Sequence, residues 1–338
     1  MKKLKDTFWL FIKEEYKFII FLAFIYCILQ INVNYYIITG GGTSDVSSRI
    51  SVDEKYESKG SFNISFVKEL QKNNIFTYLL SYVIPSWERE DANLYKYTTT
   101  ESMEDIEFRS ELDLQTANGN ATYWAYTLAN KEVKEISTKI YVITIFPEYN
   151  SPLKIGDQIL SIDGYNYETI EEYKAYLQTK KEAEEVTIKV LRNKKEVEIN
   201  QTLTLNEDRL ILGVGLQMVK EYETNPVVKI KFKSSESGPS GGLITTLEIY
   251  NQLTKKDLTH GLKIAGTGTI EADGSIGQIG GIEHKILGAE KDKVDLFLSP
   301  AGENYQDALK YKKEKNLKIE IIEVNTIQEA IKILEEWK

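Results

Sequence analysis

One stretch concentrates the chemistry available to this chain: Ser237-Gly238-Pro239-Ser240-Gly241-Gly242. It follows a β-like run, Val227 to Phe232, and precedes a helical one, Leu243 to Leu253. Ser240 is therefore expected in a tight turn just before a helix. The flanking glycines leave its hydroxyl uncrowded and let other backbone come close. The first N–H groups of a helix lack internal partners and could face a developing oxyanion. Gly238, Ser240 and Gly241 are the candidate donors. A run of this composition is in general more often a plain turn, so the serine needs a base within reach.

A histidine or a lysine could serve. Read as G-x-S-x-G, the run fits a nucleophile elbow, which calls for histidine. The chain has only His260 and His284. His260 falls where the helix after Ser240 runs out and reads as a cap or loop residue. His284 stands beside Lys285 in Gly280-Gly281-Ile282-Glu283-His284-Lys285. A Ser–His hydrolase also needs a larger sheet than the downstream chain can build. Lys285 is the other candidate. A lysine accepts a proton only when neutral, and burial disfavours the ammonium and lowers its pKa. Ile276, Ile279, Ile282, Ile286 and Leu287 supply apolar surroundings. Taken alone, Lys285 would be read as a surface lysine on a helix starting near Ile282.

Three motifs occur in order: Gly238-Pro239-Ser240-Gly241-Gly242, Ala265-Gly266-Thr267-Gly268, and Gly280 to Lys285. Together they resemble the proteolytic domain of the Lon-type serine–lysine peptidases. The resemblance implies Ser240 as nucleophile, Lys285 as base and Thr267 as the residue that helps hold the lysine. Many members carry an acidic residue just before Gly-Pro-Ser. Here that position is Ser237, with Glu236 one further back.

Composition narrows the classes. The chain has 338 residues, 42% hydrophobic and 28% charged, enough for two or three globular domains. A formal net charge of −9 argues against nucleic acid as a partner. One cysteine, Cys27, excludes an internal disulfide. With two histidines in all, no metal site is expected. No cofactor is expected, and no G-x-x-x-x-G-K-[ST] loop occurs, so nucleotide-driven unfolding is not expected either.

Phe18 to Ile38, 21 residues, reads as a transmembrane anchor. Lys2, Lys3, Lys5, Lys13 and Lys17 precede it, and the first basic residue after it is Arg49. The positive-inside rule then puts residues 1–17 in the cytoplasm and the rest outside the cell. A cleaved signal peptide is the rival, with Thr39-Gly40-Gly41-Gly42 as its small-residue site. Gly40 to Ser48 reads as a polar tether.

Residues 39–120 read as an extracytoplasmic scaffold with β structure between Ser51 and Val67. Ile75 to Val83 reads as a short helix, and Ser102 to Leu114 as a solvated amphipathic one. Tyr78, Leu79, Leu80, Tyr82 and Trp87 could touch a membrane surface. Residues 121–205 read as a β-rich domain. Its expected strands are Thr122–Leu128, Lys139–Phe146, Gln158–Ile162, Val186–Leu191 and Val197–Leu203, with a helix over Ile170–Gln178. The run from Pro152 to Gly164, with Gly156-Asp157 and Asp163-Gly164 turns, resembles the central signature of a PDZ domain. Such domains accept an extended peptide against a sheet edge. A carboxylate-binding loop is expected around Val133 to Thr138, which lacks the usual G-hydrophobic-G-hydrophobic run. Residues 206–338 read as the catalytic domain. It starts with the Leu210–Met218 strand and ends on the Ile327–Trp337 helix.

The whole is an α+β multidomain chain: an N-terminal transmembrane helix, a PDZ-like β-rich domain and a C-terminal Lon-type α/β domain. This order resembles the membrane-anchored PDZ–Lon peptidases of the YlbL/SepM kind. The resemblance implies an ATP-independent serine endopeptidase on the outer face of the cell membrane, cutting peptides or flexible protein segments, and leaves oligomerisation open. A non-catalytic PDZ binding module and the Ser–His hydrolase remain as alternatives.

Overall fold

The computed structural model describes residues 2–70, 73–84, 87–231 and 236–337. In chain order the elements are α1 (Lys2–Leu29), β1 (Tyr35–Asp45), β2 (Ile50–Val52), β3 (Ser61–Glu69), α2 (Ile75–Leu80), β4 (Glu88–Asp91) and α3 (Met103–Leu128). Then follow β5 (Glu132–Ile145), β6 (Gln158–Ile162), α4 (Ile170–Leu177), β7 (Glu185–Arg192), β8 (Lys195–Thr202), β9 (Thr204–Asn206), β10 (Arg209–Ile211) and β11 (Val214–Asn225). The remainder is β12 (Val228–Ile230), α5 (Gly242–Leu253), β13 (Lys263–Gly266), β14 (Thr269–Ile270), β15 (Ile276–Gly277), α6 (Ile282–Lys291), β16 (Leu296–Pro300), α7 (Glu303–Lys315), β17 (Glu320–Val324) and α8 (Ile327–Glu336).

The chain forms two compact units, residues 1–40 with 67–95, and residues 41–66 with 96–338. In the first, β1 pairs antiparallel with β4 from Tyr35↔Asp91 to Ile38↔Glu88. The expected span Phe18–Ile38 is therefore not one helix. Helix α1 stops at Leu29, and Ile37 and Ile38 are buried in a strand. The break falls among Gln30, Asn32 and Asn34, where Asn32 bridges Asn74 and the Asn34 carbonyl accepts the Ala92 N–H. Among the described residues no helix is long and apolar enough to cross a membrane. The apolar part of α1 still lies open: Phe18, Ile20, Phe21, Leu22, Phe24 and Tyr26 are all exposed. Helix α2 starts on an Asn74–Thr77 capping box, and Phe76 and Leu79 on it, with Tyr82 and Val83 just after it, are exposed.

Among the described residues the second unit holds two larger sheets and three two-stranded ones, β2–β12, β9–β10 and β14–β15. In the first, the order is β17-β16-β13-β3-β1. Strand β13 pairs in parallel with β3 on one side and β16 on the other. Successive residues of β13 and β16 face opposite ways, as strand geometry requires. Ile264, Leu296 and Leu298 meet Leu243, Ile244 and Leu247 of α5, together with α8 and the end of α3. Ala265 and Phe297 meet Ile282, Ile286 and Ala289 of α6, with Ala308 of α7. The expected tether and scaffold thus supply strands of this sheet: β1 continues to Asp45, and β3 is paired to β13.

The other sheet has the order β11-β5-β6-β7-β8 and closes over α4 around Val142, Ile162, Tyr173, Val186, Ile188 and Leu203. The Pro152–Gly164 run does what its residues suggest. Buried Asp157 accepts the Lys154 N–H at 2.8 Å and a two-pronged bond from Arg192 at 2.7 and 2.6 Å. Asp163 accepts the Thr187 N–H at 2.7 Å. Two expectations are corrected here. Thr122–Leu128 is not a strand but the last two turns of α3, whose Ala117, Ala121 and Ala125 recur at helical spacing and are buried. Ser102–Leu114 is the start of the same helix, and it buries Ile106, Arg109 and Leu112 on one face. Leu210–Met218 does not open the expected C-terminal domain: β11 pairs with β5 from Val214↔Ile145 to Asn225↔Glu132 and belongs to this five-stranded sheet.

Candidate active site

Helix α5 begins at Gly242, two residues after Ser240. The turn before it is fixed from two directions. The Gly242 N–H donates to the Pro239 carbonyl at 3.0 Å, and the Gly238 N–H donates to the Ser110 carbonyl of α3 at 3.0 Å. Gly238 has φ +81°, a conformation that glycine adopts without a Cβ penalty. Its N–H is thus held by α3, which leaves Ser240 and Gly241, the two residues just before α5, as the other expected oxyanion donors. Residues 232–235, which include the last residue of the expected Val227–Phe232 strand, lie outside the described residues.

Lys285 sits in the first turns of α6, which starts after Gly281. Its side chain is 3% exposed, between buried Ile282 and Ile286. Burial strips the ammonium of water and lowers the pKa from the ordinary lysine range to about 7. Its Nζ donates to Thr267 Oγ1 at 2.9 Å. Thr267 is fully buried after β13, its own N–H on the Leu298 carbonyl at 3.1 Å. The Thr267 hydroxyl in turn donates to the Ser240 carbonyl at 3.1 Å, and the Gly268 N–H donates to that same carbonyl at 2.8 Å. The Leu243 N–H returns to the Gly268 carbonyl at 3.1 Å. The fold therefore gathers the three sequence motifs at one place, with Thr267 bonded to the main chain of Ser240 and to the side chain of Lys285.

The histidines are placed differently. His260 bonds the Leu334 carbonyl at 2.7 Å through Nε2, which ties a loop to the end of α8. His284 precedes Lys285 on α6, but it is Lys285 whose side chain reaches Thr267. Glu236 is paired with Arg49 at 2.5 Å, and Arg49 also bonds Ser44 Oγ at 2.8 Å. Among the described residues no cluster of metal-ligating side chains occurs.

Sequence reasoning missed the part played by α3. Besides Ser110, Asn120 Nδ2 donates to the Ile270 carbonyl at 2.8 Å, and Trp124 Nε1 to the Ala272 carbonyl at 3.3 Å. It also missed the G-hydrophobic-G-hydrophobic run, Gly213-Val214-Gly215-Leu216. That run starts edge strand β11, after the rest of the PDZ sheet in chain order. Val133–Thr138, where the loop was expected, lies inside β5.

Residues 127–203 match the family model of the PDZ domain, and residues 233–336 match that of the Lon protease (S16) C-terminal proteolytic domain. Among solved structures, the PDZ domain of an SdrC-like protein from Listeria monocytogenes is 25% identical, over 25% of this chain and 92% of that one, with a TM-score of 0.23. The corresponding domain from Listeria innocua is 26% identical, over 23% of this chain and 92% of that one, with a TM-score of 0.21. GtR34C from Geobacillus thermodenitrificans is 28% identical, over 23% of this chain and 94% of that one, also with a TM-score of 0.21. No curated protein matches.

Proposed function

We propose that this chain, which by its PDZ and Lon proteolytic domains belongs to a PDZ–Lon peptidase family, is an ATP-independent serine endopeptidase with a Ser240–Lys285 dyad. One observation carries the reading. Lys285 is buried, has a pKa of about 7 and is held by Thr267, which also bonds Ser240.

The chemistry follows from that arrangement. A neutral amine has two N–H groups and one lone pair. Thr267 takes an N–H, which leaves the lone pair to accept the Ser240 hydroxyl proton as Oγ attacks the scissile carbonyl. The oxyanion that forms is stabilised by the N–H groups of Ser240 and Gly241, just before α5. The Lys285 ammonium then protonates the leaving amine. A water deprotonated by the restored amine cleaves the acyl-enzyme and frees Ser240.

The substrates on this reading are peptides and flexible protein segments, which need no unfolding engine. The PDZ sheet assists by offering the β11 edge to an extended segment. The chain is held at the outer face of the cell membrane by α1. Its exposed apolar stretch, Phe18 to Leu29, and the lysines before it support attachment to lipid.

The test is cleavage of a mixed peptide pool by the full chain in detergent or nanodiscs, read by mass spectrometry. S240A and K285A lose cleavage, and H284A keeps it. An S240A enzyme cutting at the wild-type rate refutes the dyad. Loss in H284A with retention in K285A would instead establish the Ser–His hydrolase. Peptide binding without turnover, and no labelling of Ser240 by a fluorophosphonate, would establish a binding module.

A further inference from the structure

Helix α3 touches edge strand β11 of the PDZ sheet and the Ser240 turn at the same time. On the PDZ side, Gln217 of β11 donates through Nε2 to Asp113 Oδ1 at 3.0 Å and to Thr116 Oγ1 at 3.2 Å. Those two acceptors stand three residues apart, on one face of α3. One turn further on, Gly119 lets the β11 backbone come close. A Cβ there would lie 2.9 Å from the Lys220 carbonyl oxygen. Beyond it the rings of Tyr123 and Tyr222 meet at 5.6 Å. On the catalytic side, the Ser110 carbonyl holds the Gly238 N–H, and Asn120 and Trp124 hold the β14–β15 hairpin at Ile270 and Ala272. Ile270 follows the Thr267–Gly268 segment that bonds Ser240.

Ser110 and Asp113 are also three residues apart, so the grip on β11 and the grip on the Ser240 turn lie on adjacent positions of one rigid rod. Strand β11 ends the five-stranded sheet, and among the described residues β5 is its only partner there. A strand added to that edge would bear directly on the strand that carries Gln217.

We propose that α3 positions the Ser240 turn, and that Gln217 and Asp113 are positioning residues through which the β11 edge sets the geometry of that turn. The PDZ sheet then gates the dyad as well as capturing substrate. This rests on the peptidase reading above for its consequence, though not for its geometry. An extended segment on β11 tightens or loosens the Gln217–Asp113 grip. The Ser110 carbonyl moves with α3, and the Gly238-Pro239-Ser240 turn follows.

The experiment compares wild type, Q217A, D113A, the double variant Q217A/D113A and D113N in the full chain. Two readouts are taken: amide hydrogen exchange of the segment covering Gly238–Gly242, and the rate at which a fluorophosphonate labels Ser240. D113N keeps the oxygen that accepts from Gln217. Exchange in α7 and α8 serves as the control for global unfolding. Q217A and D113A are expected to speed exchange of the turn and slow labelling by about three- to tenfold. The double variant does no more than either single one, because both act on one contact. D113N restores most of the wild-type rates. Wild-type exchange in both single variants overturns the proposal, and so do effects that multiply in the double variant. If wild type is not labelled while exchange still responds, the coupling stands and the Ser–Lys reading falls.

Discussion

Thr267 joins Lys285 and Ser240, the two residues of the proposed dyad, through a single hydroxyl, accepting from Lys285 Nζ at 2.9 Å and donating to the Ser240 carbonyl at 3.1 Å. Valine has nearly the same shape and neither bond. T267V should keep the fold and lower kcat by about 100-fold, since a base misplaced by a fraction of its reach costs that much. T267S retains the hydroxyl and should retain most of the rate. Steady-state kinetics on one fluorogenic peptide would check both. A T267V enzyme with unchanged kcat would mean that packing alone orients the lysine.

On the proposed Ser–Lys mechanism, the lowered pKa of Lys285 fixes the pH dependence of cleavage. The base works only as the neutral amine, so kcat/KM should climb with pH and level off above about pH 7. The same group affects stability. From about pH 7 to its ordinary value of 10.5, the unfolded chain holds a proton that the folded chain has released. Stability therefore rises with pH across that window. K285M should flatten the rise and be more stable than wild type at pH 7. Denaturant titrations between pH 7 and 10 would show it, and parallel slopes in the two proteins would refute it.

The three motifs that meet around Thr267 were legible because they place local demands on the backbone. The glycines around Ser240, Thr267 and Lys285 mark turns next to helices and strands, and such demands are written in a few adjacent residues. What the sequence hid is tertiary. Thr122-Tyr123-Trp124 has the composition of a strand, yet Ala117, Ala121 and Ala125 pack α3 into the catalytic core. Ile37 and Ile38 extend an apolar stretch that reads as one span. In the fold they leave the helix for a buried strand, and burial in a sheet demands the same residues as burial in lipid. Strand β11 was assigned to the wrong sheet because its register with β5 joins segments far apart in sequence.

Two adjacent glycines of the serine turn should respond differently to a methyl group. At Gly242 an added Cβ would lie 2.8 Å from the Ile270 backbone nitrogen and 2.6 Å from its Cγ2. At Gly241 the nearest atom is Ile64 Cδ1 at 2.9 Å, the mobile end of a side chain. G242A should therefore push α5 away from the hairpin, lose about 1–3 kcal/mol and lose most activity. G241A should lose less of both. Thermal unfolding and kcat measured side by side would test the order, and a G242A enzyme as active as G241A would contradict it.

Glu248 gives a second pH effect, of opposite sign and in a different window. It is 3% exposed within α5, bonded by Gln252 Nε2 at 2.6 Å, and burial raises its pKa from 4.5 to about 7. Gln252 also bonds the Ile50 carbonyl and the Val52 N–H, so the carboxyl sits behind a fixed side chain. Between pH 4.5 and about 7 the folded chain keeps a proton that the unfolded chain has released. Stability therefore falls as pH rises through that range. E248Q keeps the oxygen that Gln252 needs and has no charge to lose. It should abolish this fall and be more stable than wild type above pH 7, by about 3 kcal/mol. Because the Lys285 effect begins where this one ends, denaturant midpoints from pH 4.5 to 10 separate them. E248Q should change only the lower limb and K285M only the upper one, and an E248Q protein with the wild-type lower limb would assign that slope to another group.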